Sequence, residues 1–464
     1  MHRSALSLTI AFLVLTRSVP VSAQSASTPP AIAPEPAIAP KPAIAPDPAI
    51  AAMLATIAPA RLRADDAALV AFGTRDTFSE RSTVATRGVY AARAWIAAQF
   101  RAAACASGGR MTVAYDTYLQ PKLESTPRDV EVSNVIATLR GYDPKRGTIV
   151  ISSHYDSRPT MVDDVEHDAP GADDDASAVV TVLAAARAFA PHRFPATIVF
   201  AAYDGEEQGL WGSGHHARAL AQSGGVVEAD VNADIIGASV GDRGQAAPSE
   251  LRLFSEALPI DAKPARIDVL GGENDAPSRE LARAVKEAAE LYEPAMHVAL
   301  VYRGDRFLRG GDQESYTALG IPAVRFVEAS ESFAHQHQDV RVEGGVTYGD
   351  RLEYVDFDYL ARVAACDLAA VATLALAPPA PAVGVEVKGL TNDTTLTWQP
   401  VPGAAGYDVL RRSTSEPLWS SVTPAGDVST YTATGLSKDD WIFGVRAVDA
   451  AGHRGPAGYP VPIR

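Results

Sequence analysis

Cysteine is nearly absent from this sequence: two residues, Cys105 and Cys366, in a chain of 464. Two thiols so far apart do not make a cysteine zinc site, and the most they can form is one disulfide, whose pairing stays open for a chain in an oxidising compartment. Basic charge is also in deficit. There are 41 Lys and Arg against 56 Asp and Glu, a formal net charge of -15. The acids are spread along the chain rather than gathered in a tail, which argues against a nucleic-acid partner. Past the N-terminus no apolar run reads as long enough to span a bilayer. What is present is a composition 47% hydrophobic, enough for one large core and a smaller module. A monomer is expected.

The first residues pair a basic start with an apolar run, Ala5 to Leu15, and end in the small-residue pattern Val21-Ser22-Ala23. This reads as a signal peptide over 1–23, cleaved after Ala23, so a secreted or periplasmic location is expected. Residues 24–53 repeat a proline- and alanine-rich unit that favours extended polyproline and reads as a spacer. Over 54–377 strands expected at 134–139, 148–154, 197–203, 229–237 and 322–328 alternate with helices at 89–104, 177–190, 278–292 and 359–377. That pattern predicts an α/β fold, a mostly parallel mixed sheet sandwiched by helices, with ligands at the carboxyl ends of the strands.

At PPAPA, 378–382, the texture changes to short alternating strands with frequent turns, which predicts an all-β sandwich over 378–464. The placement of Trp398, Tyr407, Tyr431, Leu436 and the Phe443/Val445/Ala447 alternation resembles a fibronectin type III module. Such a module could bind a surface or polymer, or act as a spacer. Trp398 reads as core, while Trp419 and Trp441 stay undecided.

Polar residues collect where the strands end: His154 and Asp156, then Asp173, Asp174 and Asp175, then Glu206 and Glu207, then Asp234, then His335 and His337. Histidines and carboxylates without cysteine suit a borderline divalent ion, zinc first. Five such ligands exceed what one catalytic zinc uses with a position left open. Two ions sharing a carboxylate, which would activate water and stabilise an oxyanion, are therefore expected. This is chemistry for amide hydrolysis.

The stretches HYD, GADDDAS, EEQGLWGS, the lone Asp234 and HQHQD resemble, in order and spacing, the secreted bacterial co-catalytic dizinc aminopeptidases, relatives of glutamate carboxypeptidase and glutaminyl cyclase. The likeness covers roughly residues 85 to 377 and is specific as a joint pattern. It implies a zinc exopeptidase fold holding two Zn2+, with ligands His154, Asp174 as the bridge, Glu207, Asp234 and His335. His335 is favoured because Asp339 follows it by four residues; His337 is the alternative. Glu206 is implied as general base, with a raised pKa, and Asp156 as the carboxylate that orients His154. The bond between Asp174 and Asp175 is implied to be cis. Ala178, Gln313 and Tyr316 depart from the family pattern, and Gln313 and Tyr316 put the substrate pocket in question. The implied function is aminopeptidase action on peptide substrates, with carboxypeptidase or dipeptidase action open. The alternatives are a one-zinc glutaminyl cyclase and a non-catalytic binding module on the same fold.

Overall fold

Apolar runs without polar alternation determine where the central sheet lies. In β3 (Thr148–His154) and β4 (Thr197–Tyr203) every residue after the first is buried, so both faces of these strands need a cover of helices. The computed structural model describes residues 44–79, 86–256 and 275–463; the expected signal peptide and most of the spacer lie outside them. The other strands are β1 (Met111–Gln120), β2 (Val130–Leu139), β5 (Val227–Ala233), β6 (Glu250–Phe254), β7 (His297–Val301) and β8 (Ala323–Glu328).

Their order across the sheet is β1-β2-β4-β3-β5-β8-β6-β7. The middle strands β4, β3, β5 and β8 pair in parallel, while β1, β2 and β6 join antiparallel. The sheet is thus more mixed than the alternating pattern suggests. β1 escapes sequence reading because it is an edge strand of mostly exposed and half-exposed residues.

Ile149 and Ile151 face one side, packing with Ile96 and Phe100 of α3 (Val89–Ala104) and Val182 of α4 (Ser177–Phe189). Val150, Val199 and Tyr203 face the other, with Ala217 of α5 (Trp211–Gln222). The helix Phe357–Leu376 is long and apolar enough to cross a membrane, contrary to the expectation that no such stretch follows the N-terminus. It is 78% buried inside the fold, as a core helix.

Folded chain also begins before the expected boundary at residue 54. Asp47 caps the helix Pro48–Leu54, accepting from the Ala49 amide at 2.6 Å. Ile50 and Met53, three apart on one helical face, join the main core.

After Val383 seven strands form two sheets: Thr430–Ala433, Thr394–Trp398, Val383–Glu386 and Pro460–Ile463 in one; Ser421–Gly426, Gly406–Ser413 and Trp441–Val448 in the other. Leu396 and Trp398 of the first sheet share a core with Tyr407, Val409, Phe443 and Val445 of the second. The two cysteines are free, Cys105 exposed and Cys366 buried.

Candidate metal centre

Three parallel strands deliver the site. β3 ends on His154, the turn after β4 carries Glu206 and Glu207, and Asp234 directly follows β5. The aspartates arrive from the turn before α4, and their bond Asp174–Asp175 is cis. That turn starts at Gly171, at φ 55, where a Cβ would lie 2.6 Å from Arg75 Nη2 and 2.7 Å from the Ser157 side chain.

The acids divide their work. Asp173 Oδ1 accepts from the Gly237 amide at 2.7 Å. Asp175 accepts from the amides of His154, at 3.2 Å, and Ile235, at 3.3 Å. Asp350 in turn accepts from the amides of Asp173 and Asp174. Asp173 and Asp175 are thereby tied to backbone, and the Asp174 carboxylate is left to face the cavity.

Two triplets of donor atoms result, each within 4.8 Å: His154, Glu206 and Asp234; and Asp174, Glu207 and His337. Asp174 stands between them, with Oδ1 3.3 Å from His154 Nε2 and Oδ2 3.0 Å from His337 Nε2. His154 Nε2 is 3.5 Å from Asp234 Oδ1, and Glu207 Oε2 is 3.1 Å from His337 Nε2. Although these groups are close, His154 Nε2, Asp174 Oδ2, Glu207 Oε1 and Asp234 Oδ1 are buried and make no hydrogen bond among the described residues. Buried polar atoms that converge without pairing are costly for a protein alone. This nitrogen and oxygen donor set suits zinc, so the residues fit a metal centre.

Asp156 knits the neighbouring loops. Its carboxylate accepts from the amides of Glu206 at 3.2 Å and Glu207 at 3.1 Å, and its Oδ1 lies 3.5 Å from His154 Nδ1. Burial pushes Glu206 well above the ordinary glutamate range, and the charges of Asp234, Glu207 and Asp312 push the same way. Burial also opposes ionisation of Asp174, but His154 and His337 outweigh it and hold that carboxyl well below its usual range.

His335 is not part of this cluster, which corrects the ligand set expected from the sequence. Its ring stacks on Tyr354 at 3.6 Å between centroids, while His337, in a left-handed turn at φ 51, points back into the site. The departing residues Gln313 and Tyr316 are buried: Gln313 donates to Asp305 at 3.0 Å, and Tyr316 shares a hydrogen bond with Tyr203.

Sequence reading missed the cations around the site. Arg325 on β8 pairs with Asp234 at 2.6 Å and Asp305 at 2.7 Å. Arg309 approaches Asp174 to 3.9 Å, and Arg158 approaches Glu207 to 3.8 Å. An arginine inside the apolar strand AVRFVE was the available signal, since buried charge needs a partner. The cavity over the cluster measures about 620 Å³, with Arg158, Leu308, Arg309 and Phe333 among its walls.

The model of peptidase family M28 matches residues 134–343. A probable zinc metalloprotease of Leptosphaeria maculans is 45% identical over 417 residues, covering 89% of this chain and 96% of that protein. One of Pyricularia oryzae is 46% identical over 424 residues, covering 89% and 84%. The crystal structure of the Legionella pneumophila LapA aminopeptidase has a similar fold, with a TM-score of 0.50 at 20% identity, covering 70% of this chain and 74% of that one. Identity at this coverage, on a chain with a nitrogen and oxygen donor set at its strand ends, means that the chain belongs to peptidase family M28, as a zinc metallopeptidase.

Proposed function

We propose that the chain is a secreted dizinc exopeptidase, an aminopeptidase that removes N-terminal residues from peptides. The observation that carries this reading is the pair of donor triplets, with Asp174 reaching the histidine of each. One ion at each histidine accounts for the orphaned donor atoms and leaves Glu206 for the proton transfer. His154, Asp234 and Asp174 would hold one zinc; Glu207, His337 and Asp174 would hold the other.

Zinc, when bound, supplies Lewis-acid activation of the scissile carbonyl and of water. The protein's own residues do the rest. Glu206, with its raised pKa, takes a proton from the attacking water and returns it to the leaving amine. Asp156 fixes both glutamates through their amides and keeps the His154 ring turned toward the centre. Arg325 holds Asp234 in place from the far side. The aminopeptidase assignment rests on the order of the motifs, and the secreted location on the N-terminal signal. Peptides are the expected partners, and a monomer the working unit.

The test is a scan of free, N-blocked and C-blocked peptides with metal measured on the same sample. Two zinc per chain and release of the first residue from free N-termini only are expected. One zinc per chain with ring closure of N-terminal glutamine would overturn the reading in favour of a glutaminyl cyclase. Cleavage that depends on a free C-terminus would convert it to a carboxypeptidase.

A further inference from the structure

The β-sandwich is joined to the peptidase domain through buried charge. Arg412, on the strand Gly406–Ser413, donates to both oxygens of Asp275 at 2.7 and 2.6 Å. Arg283, on the helix Pro277–Tyr292, pairs with the same Asp275 at 2.9 Å and with Glu280. Trp419 Nε1 donates to Glu280 at 3.2 Å. Between these contacts sits Pro417, whose carbonyl accepts from Arg283 Nε at 2.7 Å and from Tyr302 Oη at 3.0 Å.

Tyr302 is where this cluster meets the site. It directly follows β7 and opens the segment 302–313, whose Leu308, Arg309 and Gly310 wall the cavity. Arg279 donates to its carbonyl at 3.3 Å and lies over its ring at 4.8 Å. Three residues on, Asp305 binds Arg325, which binds Asp234. The tip of the segment has little packing of its own: Phe307 is 80% exposed and Leu308 is fully exposed. Arg306 and Arg309 tie its middle to Glu331, and Tyr302 is its anchor at the β7 end. The matched relatives cover 89% of the chain, more than residues 1–377 provide, so they extend into the sandwich as well.

We propose that the C-terminal sandwich is a positioning element of the peptidase: Arg412, which donates to the Glu416 carbonyl, sets Pro417, and Pro417 holds Tyr302 and through it the wall 302–313 against which substrate binds. The kinetic consequence rests on the peptidase reading; the structural consequence does not. A tethered module that merely bound a polymer would have no need of a hydrogen bond to the start of a pocket wall.

Tyr302→Phe removes one hydroxyl from a solvent-exposed hydrogen bond and leaves the core intact. Losing one hydrogen bond of ordinary strength corresponds to roughly three- to tenfold. KM for a peptide is expected to rise by that factor with kcat within about twofold, and amides 303–312 to exchange hydrogen faster. Zinc content should not change, and the melting temperature should fall only slightly. Arg412→Gln should raise KM and speed exchange more strongly, with a lower melting temperature from the buried pair it breaks, and partial rescue in Arg412→Lys, which keeps the charge but not the two-point contact. If Arg412→Gln does not fold, Tyr302→Phe decides. Unchanged exchange at 303–312 in Tyr302→Phe overturns the proposal, and so does a fall in kcat with KM unchanged. Should the wild-type chain cleave no peptide, the peptidase reading fails, and the exchange measurement still decides whether the sandwich holds the wall.

Discussion

The candidate centre and the sandwich interface both bury clusters of charge, yet they balance it differently. At the interface two carboxylates, Asp275 and Glu280, meet two guanidiniums, Arg283 and Arg412, and each charge touches an opposite one within 2.9 Å. At the centre five carboxylates, Asp156, Asp174, Glu206, Glu207 and Asp234, surround two histidines, with Arg325 pairing Asp234 from one side, and among the described residues donor atoms from both triplets make no hydrogen bond. A self-neutralised cluster is finished by folding. One that faces inward with orphaned donors is finished by something added, because buried like charges raise each other's energy until a cation arrives. The contrast separates a structural use of buried charge from a chemical one inside a single chain.

Changing the two clusters in turn separates these two uses of buried charge. Asp174→Asn should abolish both metal retention and turnover, because one substitution removes a donor from each side of the centre. Glu206→Gln should retain the metal and lose about 10²–10⁴-fold in kcat, the range for a general base. Metal analysis beside kinetics checks both, and a Glu206→Gln variant with near wild-type kcat would end the general-base assignment. Chelation should lower the melting temperature, and added zinc should restore it, since an ion that binds only the folded chain stabilises it. The same chelator should leave the interface untouched.

At the interface the expected damage is to stability. Arg283→Met removes the cation that Asp275 and Glu280 share and, among the described residues, leaves Glu280 the Trp419 donor. Breaking a buried pair costs about 3–5 kcal/mol, to be read from denaturant or thermal unfolding at constant zinc. A shift of under about 1 kcal/mol would place this cluster with weak surface pairs and remove half of the contrast.

The centre was far more legible in the sequence than the interface, for a physical reason. The site residues sit at the ends of strongly apolar strands, so the text TIVISSH or TIVFAAY announces both the element and where its chemistry begins. The choice within HQHQD could not be read, because it depends on the left-handed turn at His337 that turns one ring inward and leaves the other stacked on Tyr354. Arg412 and Asp275 are 137 residues apart, and nothing local in either neighbourhood specifies the other. Arg325 lies between these cases: an arginine in a buried strand demands a partner without saying which. The triple aspartate was half legible, since the motif singled out Asp174, while only the fold shows Asp173 and Asp175 spent on the amides of Gly237, His154 and Ile235.

A third cluster, between the two extremes, gives the smallest effect. His453 is held by Asp449 at 2.7 Å and by Asp47 at 2.8 Å, and Asp47 also caps the first helix and donates its amide to Tyr292 Oη. Burial disfavours the charged ring, but the hydrogen bonds to Asp47 and Asp449 outweigh it and raise the His453 pKa above its usual value. A raised folded-state pKa stabilises below the unfolded value of about 6.5, and the gain is lost as pH rises through the folded value. His453→Gln should therefore lower stability more at pH 5.5 than at pH 9, by at most about 1 kcal/mol given partial exposure to solvent. Equal losses at both pH values would mean that His453 acts there as a neutral hydrogen-bonding group. Half-exposed charge would then contribute through geometry alone, and only the fully buried clusters would respond to ionisation.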